Sequence, residues 1–394
     1  MRVRYGQLSV QEAFEKERLL ERARVAWHCL RDGDDARACQ MMEQIDARLQ
    51  LTVRQGTQGA TYAELTALEV NAWPLAELLL EQAPPAVGCA LALGRMAVPL
   101  AEALAEVRAS HELELDGASL RAGFGRGHLL EVTLLVPGGS GSEIEQNAAE
   151  NLVRAVLGDR LFETWIGAVH ATPAPRRASL RVLDVNAPRA TLQLHELFDT
   201  VSAAALGVLQ GLPEQARADA PVARAVHTAG NVGSADDEAR GDWTLLETEP
   251  LADARGVRKD DLVLASTCMP ELLRCYLDGS PCASRRFSRV GERFVFVSYE
   301  DDARTMQARV ARRTMLEAAL AEAVEGFGAV TGVGLGVKTT YVDLALCNLE
   351  TGLTRLVSKL KAEDAPARTF IQFFDSELAD EWLSIWPDSR LTEG

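Results

Sequence analysis

The sequence predicts an α+β fold, and three observations lead to that class. Apolar residues switch repeatedly along the chain between the 3.6-residue spacing of amphipathic helices and the two-residue alternation of strands. The resulting elements follow the order β-α-β-β-α in the middle of the chain and β-α-β-β-α-β at its end, the second being the ferredoxin-like arrangement. An apolar fraction of 47% with 25% charged residues is that of an ordinary globular protein. At 394 residues the chain is long enough for two or three separate cores.

The first fifty residues read as a helical hairpin. Ser9 and Glu12 form a capping box ahead of "AFEKERLLERARVAWHCL", and "DGDD" from Asp32 supplies a turn and an N-cap for "ARACQMMEQIDARLQ". From about Tyr62 strands and helices alternate. "TYAELTALEV" and "GCALALGRMAV" read as strands, Pro74 opens the helix "PLAELLLEQA", and "PLAEALAEVRA" is helical. "HELELDGASLRAGF" suggests a hairpin and "HLLEVTLLVP" alternates as a strand. Ser142 and Glu145 cap a helix that ends at Gly158. "LFETWIGAVH" and "SLRVL" then read as strands, before the helix "LHELFDTVSAAALGVLQ".

Residues 211–242 lack apolar periodicity and are rich in small and polar residues, so they read as a linker or exposed loop. "WTLLETEP" and "DLVLAS" resume the strands, followed by a short helix near "MPELLRCYL". The clearest segment comes last: "RFVFVSY", a long helix, "GAVTGV", "TYVDLAL", the helix "LETGLTRLVSKLK" and "RTFIQFF". The expected organisation is a helical hairpin at 1–55, an α+β domain at 56–210, a linker at 211–242 and a ferredoxin-like α+β domain at 243–394.

The glycines of "GAVTGVGLGVKTTYVDLAL" invite comparison with phosphate-binding loops. Val337 separates Gly336 from Lys338, and the following segment has the period of a strand, so both requirements of a P-loop fail. The dinucleotide fingerprint fails as well, because no helix opens there. Gly332, Gly334 and Gly336 are instead expected at positive-φ turn positions or bulges of a central hairpin. "PGGSGSE" from Pro137 resembles a nucleophile elbow, but Ser142 stands where the second glycine belongs and is better explained as an N-cap. In "DGDD", Ala36 occupies a ligand position of a calcium loop, which leaves a helix-to-helix turn.

Seven cysteines over this length fit reduced thiols better than a disulfide framework. Cys268, Cys275 and Cys282 are spaced by seven, but Pro281 interrupts any shared helix, and no C-x-x-C or clustered Cys/His spacing offers a metal site. His28 beside Cys29 reads as a packed pair. No catalytic residue, metal or cofactor is expected.

A net charge of −16 opposes non-specific attraction to nucleic acid or anionic lipid. The N-terminus lacks the apolar run of a secretion signal and no stretch has the length of a membrane span, so a cytoplasmic location is expected. The densest basic region runs through Arg285, Arg286, Arg289, Arg293, Arg304, Arg309, Arg312 and Arg313. Within it Arg285, Arg286, Arg309 and Arg313 form a candidate set for an anionic ligand. Near the C-terminus Trp382 and Trp386, four apart on an expected short helix capped by Asp375, join Glu377 and Glu381 as a candidate partner-binding surface.

The segments "VGERFVFVSYED", "TYVDLALCNLETGL" and "FFDSELADEWLSIW" are similar to bacterial proteins of unknown function, over roughly residues 243–390. The resemblance implies a bacterial cytoplasmic α+β protein and carries over no functional residue. Taken together, the expected function is non-catalytic binding of a protein partner, a basic one suiting the charge: an acidic inhibitor, an immunity protein that neutralises a toxin, or an adaptor. The alternative is an enzyme or small-molecule sensor with an anionic ligand held between modules.

Overall fold

The computed structural model describes residues 10–55, 61–84, 89–174, 192–211, 243–251, 259–288, 291–301, 303, 305–379 and 381–386. The chain divides into two compact units, one spanning Lys16–Val208 and the other Leu209–Gly394 with Met1–Glu15. No helix among the described residues is long and apolar enough to cross a membrane.

In the first unit, helices α1 (Val10–Arg31) and α2 (Asp35–Ile45) are joined through Gly33, whose φ of +81° only glycine adopts freely. Asp34 caps α2 by accepting the Arg37 N–H. The hairpin cannot bury its apolar stripe alone, and the fully buried Trp27 donates its indole N–H to Leu79 O at 2.9 Å. Strands β1 (Leu49–Gln55) and β2 (Thr61–Ala67) are antiparallel. Helix α3 (Trp73–Leu80), which carries Pro74 in its first turn, leads to β3 (Ala90–Leu93), parallel to β2.

Helix α4 (Leu100–His111) is followed by β4 (Ser119–Phe124) and β5 (Leu130–Val136), an antiparallel pair. Helix α5 (Glu143–Leu157) begins at the Ser142 cap and ends at Gly158. Two expectations are corrected in this region. The stretch expected as a strand from Leu161 opens instead with helix α6 (Asp159–Trp165), and strand β6 starts only at Ile166 (Ile166–Pro173). Gly158, at φ +73°, turns the chain into a second helix, and the buried Asp159 carboxylate anchors it by accepting the Arg95 N–H at 2.7 Å and pairing with Arg154 at 3.2 Å. The hairpin expected from His111 contains one strand, β4, since residues 112–118 take no regular structure. Strand β7 (Leu192–Gln193) and helix α7 (Leu197–Gly211) follow, and the four-stranded sheet has the order β6-β5-β4-β7. The expected strand "SLRVL" and residues 212–242 of the expected linker lie outside the described residues, as does Ser9 of the first capping box.

The second unit is built on seven strands: β8 (Thr244–Glu247), β9 (Leu262–Thr267), β10 (Arg293–Glu300), β11 (Gly328–Gly336), β12 (Thr339–Leu346), β13 (Thr369–Phe373) and β14 (Trp382–Ser384). Helices α8 (Pro270–Leu277), α9 (Met306–Ala323) and α10 (Leu349–Ala362) connect them. The sheet order is β14-β13-β10-β12-β11-β9-β8, antiparallel at every described pairing. Both sheet faces are covered, which is why β11, β12 and β13 are buried at every position. On one face Val295, Val297, Val342, Leu344 and Ile371 pack against Leu316 and Leu320 of α9 and Leu353, Leu356 and Leu360 of α10. On the other, Phe294, Phe296, Tyr341 and Phe374 pack against Leu272, Leu273 and Cys275 of α8.

Candidate functional site

The glycine row of β11 lies on the α8 face of the sheet and explains what that face contains. None of Gly332, Gly334 and Gly336 has a positive φ, which corrects the turn-position expectation, although the register does shift between Val330 and Gly332 and again between Leu335 and Gly336. Their requirement is volume. A Cβ on Gly332 would lie 2.8 Å from Asp343 Oδ2, one on Gly334 2.6 Å from Leu262 Cδ1, and one on Gly336 would fall onto the Asp261 carboxylate. The missing side chains at Gly332 and Gly336 therefore make room for buried acids, and the one at Gly334 for Leu262.

Asp261 uses that room to close the hairpin tip. Its carboxylate accepts the N–H groups of Lys338 and Thr339 at 2.8 and 2.9 Å and the Tyr341 hydroxyl, while its carbonyl accepts Val337 N–H at 2.8 Å. The loop that resembles a phosphate cradle is thus filled from within. "PGGSGSE" in the first unit behaves the same way: Glu145 reaches back so that its carboxylate accepts the N–H groups of Ser140 and Gly141, at 2.9 and 2.7 Å. The Ser140 N–H bond, followed by that of Gly141, holds the Glu145 carboxyl below its ordinary range.

Asp343 uses the room beside Gly332 to receive a lysine that sequence reasoning did not single out. Lys259 Nζ is 2.5 Å from Asp343 Oδ1, 4.8 Å from the ring centres of Phe296 and Tyr341, and 5.4 Å from that of Phe374. The ammonium is 1% exposed, so its charge is met by one carboxylate and three ring faces in place of water. Burial draws the Lys259 amine below its usual range, and Asp343 opposes that shift.

A second cluster on this face joins the end of α8 to the turn after it. Arg286, fully buried, directs Nη2 to Cys275 Sγ at 3.2 Å and to Pro281 O. Cys275 Sγ also faces Pro281 O, the carbonyl that precedes Cys282, at 3.5 Å; the nearby Cys282 thiol, with the Arg286 charge behind it, brings Cys275 down to about 7 against the desolvation of burial. The same contact and burial push Cys282 up. Cys268, a third member of the seven-residue series, packs in this core but is pushed up to about 12 by burial. Ser284 ties the cluster to the C-terminal strands through Asp375, with N···Oδ1 at 2.6 Å and Oγ···Oδ2 at 2.5 Å. Burial raises the Asp375 carboxyl, and Arg293 at 3.2 Å pulls it back.

The sequence-predicted arginines are distributed over both faces. Arg286 belongs to the thiol cluster, and Arg285 is half-buried beside it in the 3-10 turn Ser284–Arg286. Arg309, on α9, donates to the carbonyls of Gly336, Val337 and Thr339. Arg313, 4% exposed, lies one turn on with Nε 3.9 Å from the buried Glu317 carboxylate. Arg289 and Arg304 lie outside the described residues. Among the predicted partner-binding residues, Glu377 pairs with Arg293 at 2.8 Å and Glu381 is buried. Trp382 is half-buried on β14, which corrects the expected short helix: the segment pairs with β13, Gln372 facing Trp382, and gains backbone hydrogen bonds there. Asp375 precedes only the 3-10 turn Ser376–Leu378. Trp386 packs against the α9/α10 core and donates its indole N–H to Ala365 O at 2.9 Å.

Ala365 is also part of an open groove of about 640 Å³. Its walls are the end of β10 at Glu300, Arg312 and Met315 of α9, and the connection Glu363–Arg368. Glu300 and Arg368, also joined through their backbones, pair in its wall at 2.7 Å, Arg312 holds Asp301 at 3.1 Å, and Met315 is 51% exposed. The groove thus offers an apolar contact bordered by charges of both signs. Among the described residues, no group of three or more His, Cys, Asp and Glu side chains could hold a metal ion. Compared with protein-family models, curated proteins and solved structures, the chain finds no match.

Proposed function

We propose that the chain is a non-catalytic protein-binding protein, and that its second unit takes an extended, basic segment of a protein partner along the Met315–Arg368 groove. The carrying observation is the groove itself: an open channel in which three acids, Glu300, Glu363 and Asp364, outnumber two arginines, Arg312 and Arg368, around the exposed Met315. Exposed thioether beside charge suits a peptide, whose apolar side chains and main chain need different contacts within a few ångströms. The net charge of −16 supports a basic partner through steering. Lys259 and Asp375, two side chains of the kinds that enzymes use as nucleophile or base, are each 1% exposed. Trp386 contributes by bracing the groove wall through Ala365 rather than by direct contact. In this reading β13-β10-β12-β11, crossed by α9 and α10, is a ferredoxin-like module whose helix layer supplies one side of the groove.

The test is selection of peptides from a displayed random library on the full chain, followed by affinity measurement. Selected peptides are expected to be enriched in Lys or Arg beside apolar residues. They should bind the Met315→Asp/Arg368→Glu variant at least about tenfold more weakly, a loss of about 1.4 kcal/mol, while Leu206→Ser, an exposed position on α7, leaves binding unchanged. Peptides that bind wild type and the groove variant equally would overturn the proposal, as would a selection that enriches nothing.

A further inference from the structure

We infer that Cys275 and Cys282 form a peroxide-reactive dithiol, a modification site at which this chain closes into an intramolecular disulfide. The pair is preassembled. Helix α8 ends two residues after Cys275, and Gly279, at φ +66°, turns the chain so that Ser280 N–H returns to Cys275 O at 3.1 Å. Cys275 Sγ faces Pro281 O, next to Cys282, at 3.5 Å, and Cys282 is itself fixed, its N–H donating to Ser376 Oγ at 2.7 Å and its carbonyl accepting the Ser376 N–H at 2.8 Å. Arg286 supplies a fixed positive charge at 3.2 Å from Cys275 Sγ, the environment in which a thiol becomes a thiolate nucleophile. The acids that oppose this are Asp278, acting on Cys275, and Asp375, acting on Cys282. Because the Arg286 guanidinium bonds Cys275 Sγ, Cys275 takes the role of attacking thiolate and Cys282 that of resolving thiol.

Both residues are buried, at 2% and 4% exposure, and the turn between them exposes Asp278, Gly279 and Pro281. A small neutral oxidant fits that access, and hydrogen peroxide is the one assigned. The Cys275 thiolate attacks one peroxide oxygen, an S–O bond forms, the O–O bond breaks, and hydroxide departs. The Cys282 sulfur then attacks the Cys275 sulfur, the S–S bond forms as the S–O bond breaks, and the Cys282 proton leaves with the departing hydroxide as water. Two sulfurs give up two electrons and the peroxide accepts them; a dithiol reductant reverses the change.

The full, reduced chain is treated with hydrogen peroxide, alkylated and digested with trypsin without reduction. Cleavage after Arg274 and Arg285 places both cysteines in one peptide, so the disulfide appears as that peptide lighter by two hydrogens and refractory to alkylation. It is expected before modification of the half-buried Cys29, Cys39, Cys89 and Cys347. In Cys282→Ser, Cys275 is expected to give a sulfenic acid trapped by dimedone. In Cys275→Ser, labelling of Cys282 should be at least about tenfold slower. Wild-type protein whose Cys275 and Cys282 stay fully alkylatable while the other thiols oxidise would overturn the inference. Equal dimedone labelling of the two variants would overturn the division of roles.

Discussion

Replacing Lys259 by Met removes the charge that Asp343 was buried to meet, and the loss follows from what remains. Methionine fills most of the lysine volume and keeps a favourable contact with the rings of Phe296, Tyr341 and Phe374. The packing change is therefore small, and the cost lies in a carboxylate 3% exposed without its cation. Breaking a buried pair from one side costs about 3–5 kcal/mol, whereas removing both charges costs far less. Lys259→Met is expected to destabilise the second unit by that amount, which for a slope of about 2 kcal/mol/M shifts its urea midpoint by roughly 2 M. Lys259→Met/Asp343→Asn should recover more than half of the shift. A pH series gives an independent reading. The folded-state pKa of Lys259 is lowered, so below the ordinary lysine value of about 10.4 the unfolded chain binds the extra proton, and wild-type stability gains with rising pH toward that value relative to Lys259→Met. A single variant no less stable than the double one, with no difference in pH dependence, would refute the reading of a charged, mutually dependent pair.

Gly336→Ala places a methyl group on Asp261 and should cost about 1–3 kcal/mol or more of second-unit stability by urea denaturation, the range of overpacked cores. Gly207→Ala acts in the opposite direction: Gly207 lies inside α7 at an ordinary φ with nothing within 4 Å of an added Cβ, so thermal unfolding should show a gain of up to about 1 kcal/mol. Glu145 is held below its ordinary pKa, so its contribution is present above the unfolded value of about 4.3 and disappears as pH falls through the folded one. Glu145→Gln should lower the melting temperature of the first unit at pH 7 and flatten the loss of stability that wild type shows as the pH falls below about 4.3.

The α+β class and most elements of the second unit were legible because their periodicity is strong and local. Val342, Leu344 and Leu346 alternate as a strand, and Leu353, Leu356 and Leu360 recur as a helix, and the structure buries both sets in one core. Stretches governed by one residue were harder to read. Leu161 to Trp165 carry the β-favouring Phe162 and Trp165, but Gly158 and the buried Asp159 outweigh that preference and wind them into α6. The Trp382 segment has helical spacing between its two tryptophans, yet the open edge of β13 captures it as a strand. The reasons for the glycine row were hidden because they lie in other elements: Asp261 stands 75 residues before Gly336, and Asp343 stands 84 residues after Lys259. A lone Lys beside "DD" carries no sign of a partner so distant. The Cys275–Cys282 spacing was visible, but only the turn at Gly279 and the return of Arg286 turn two cysteines seven apart into neighbours.

Asp261 and Glu145 give the protein a chemical deafness. Glu145 is tethered to the amides it occupies by a few residues, so it competes at an effective concentration set by the chain, on the order of millimolar or higher for short tethers, while Asp261 is brought to its amides by the pairing of β9 with β11. A free phosphate or nucleotide must displace a covalently supplied rival, and must also leave that rival's charge without a partner in a protein that already carries −16. In both glycine-containing loops the backbone N–H groups that an anion from solution would need are thereby already taken by a carboxylate of the chain itself.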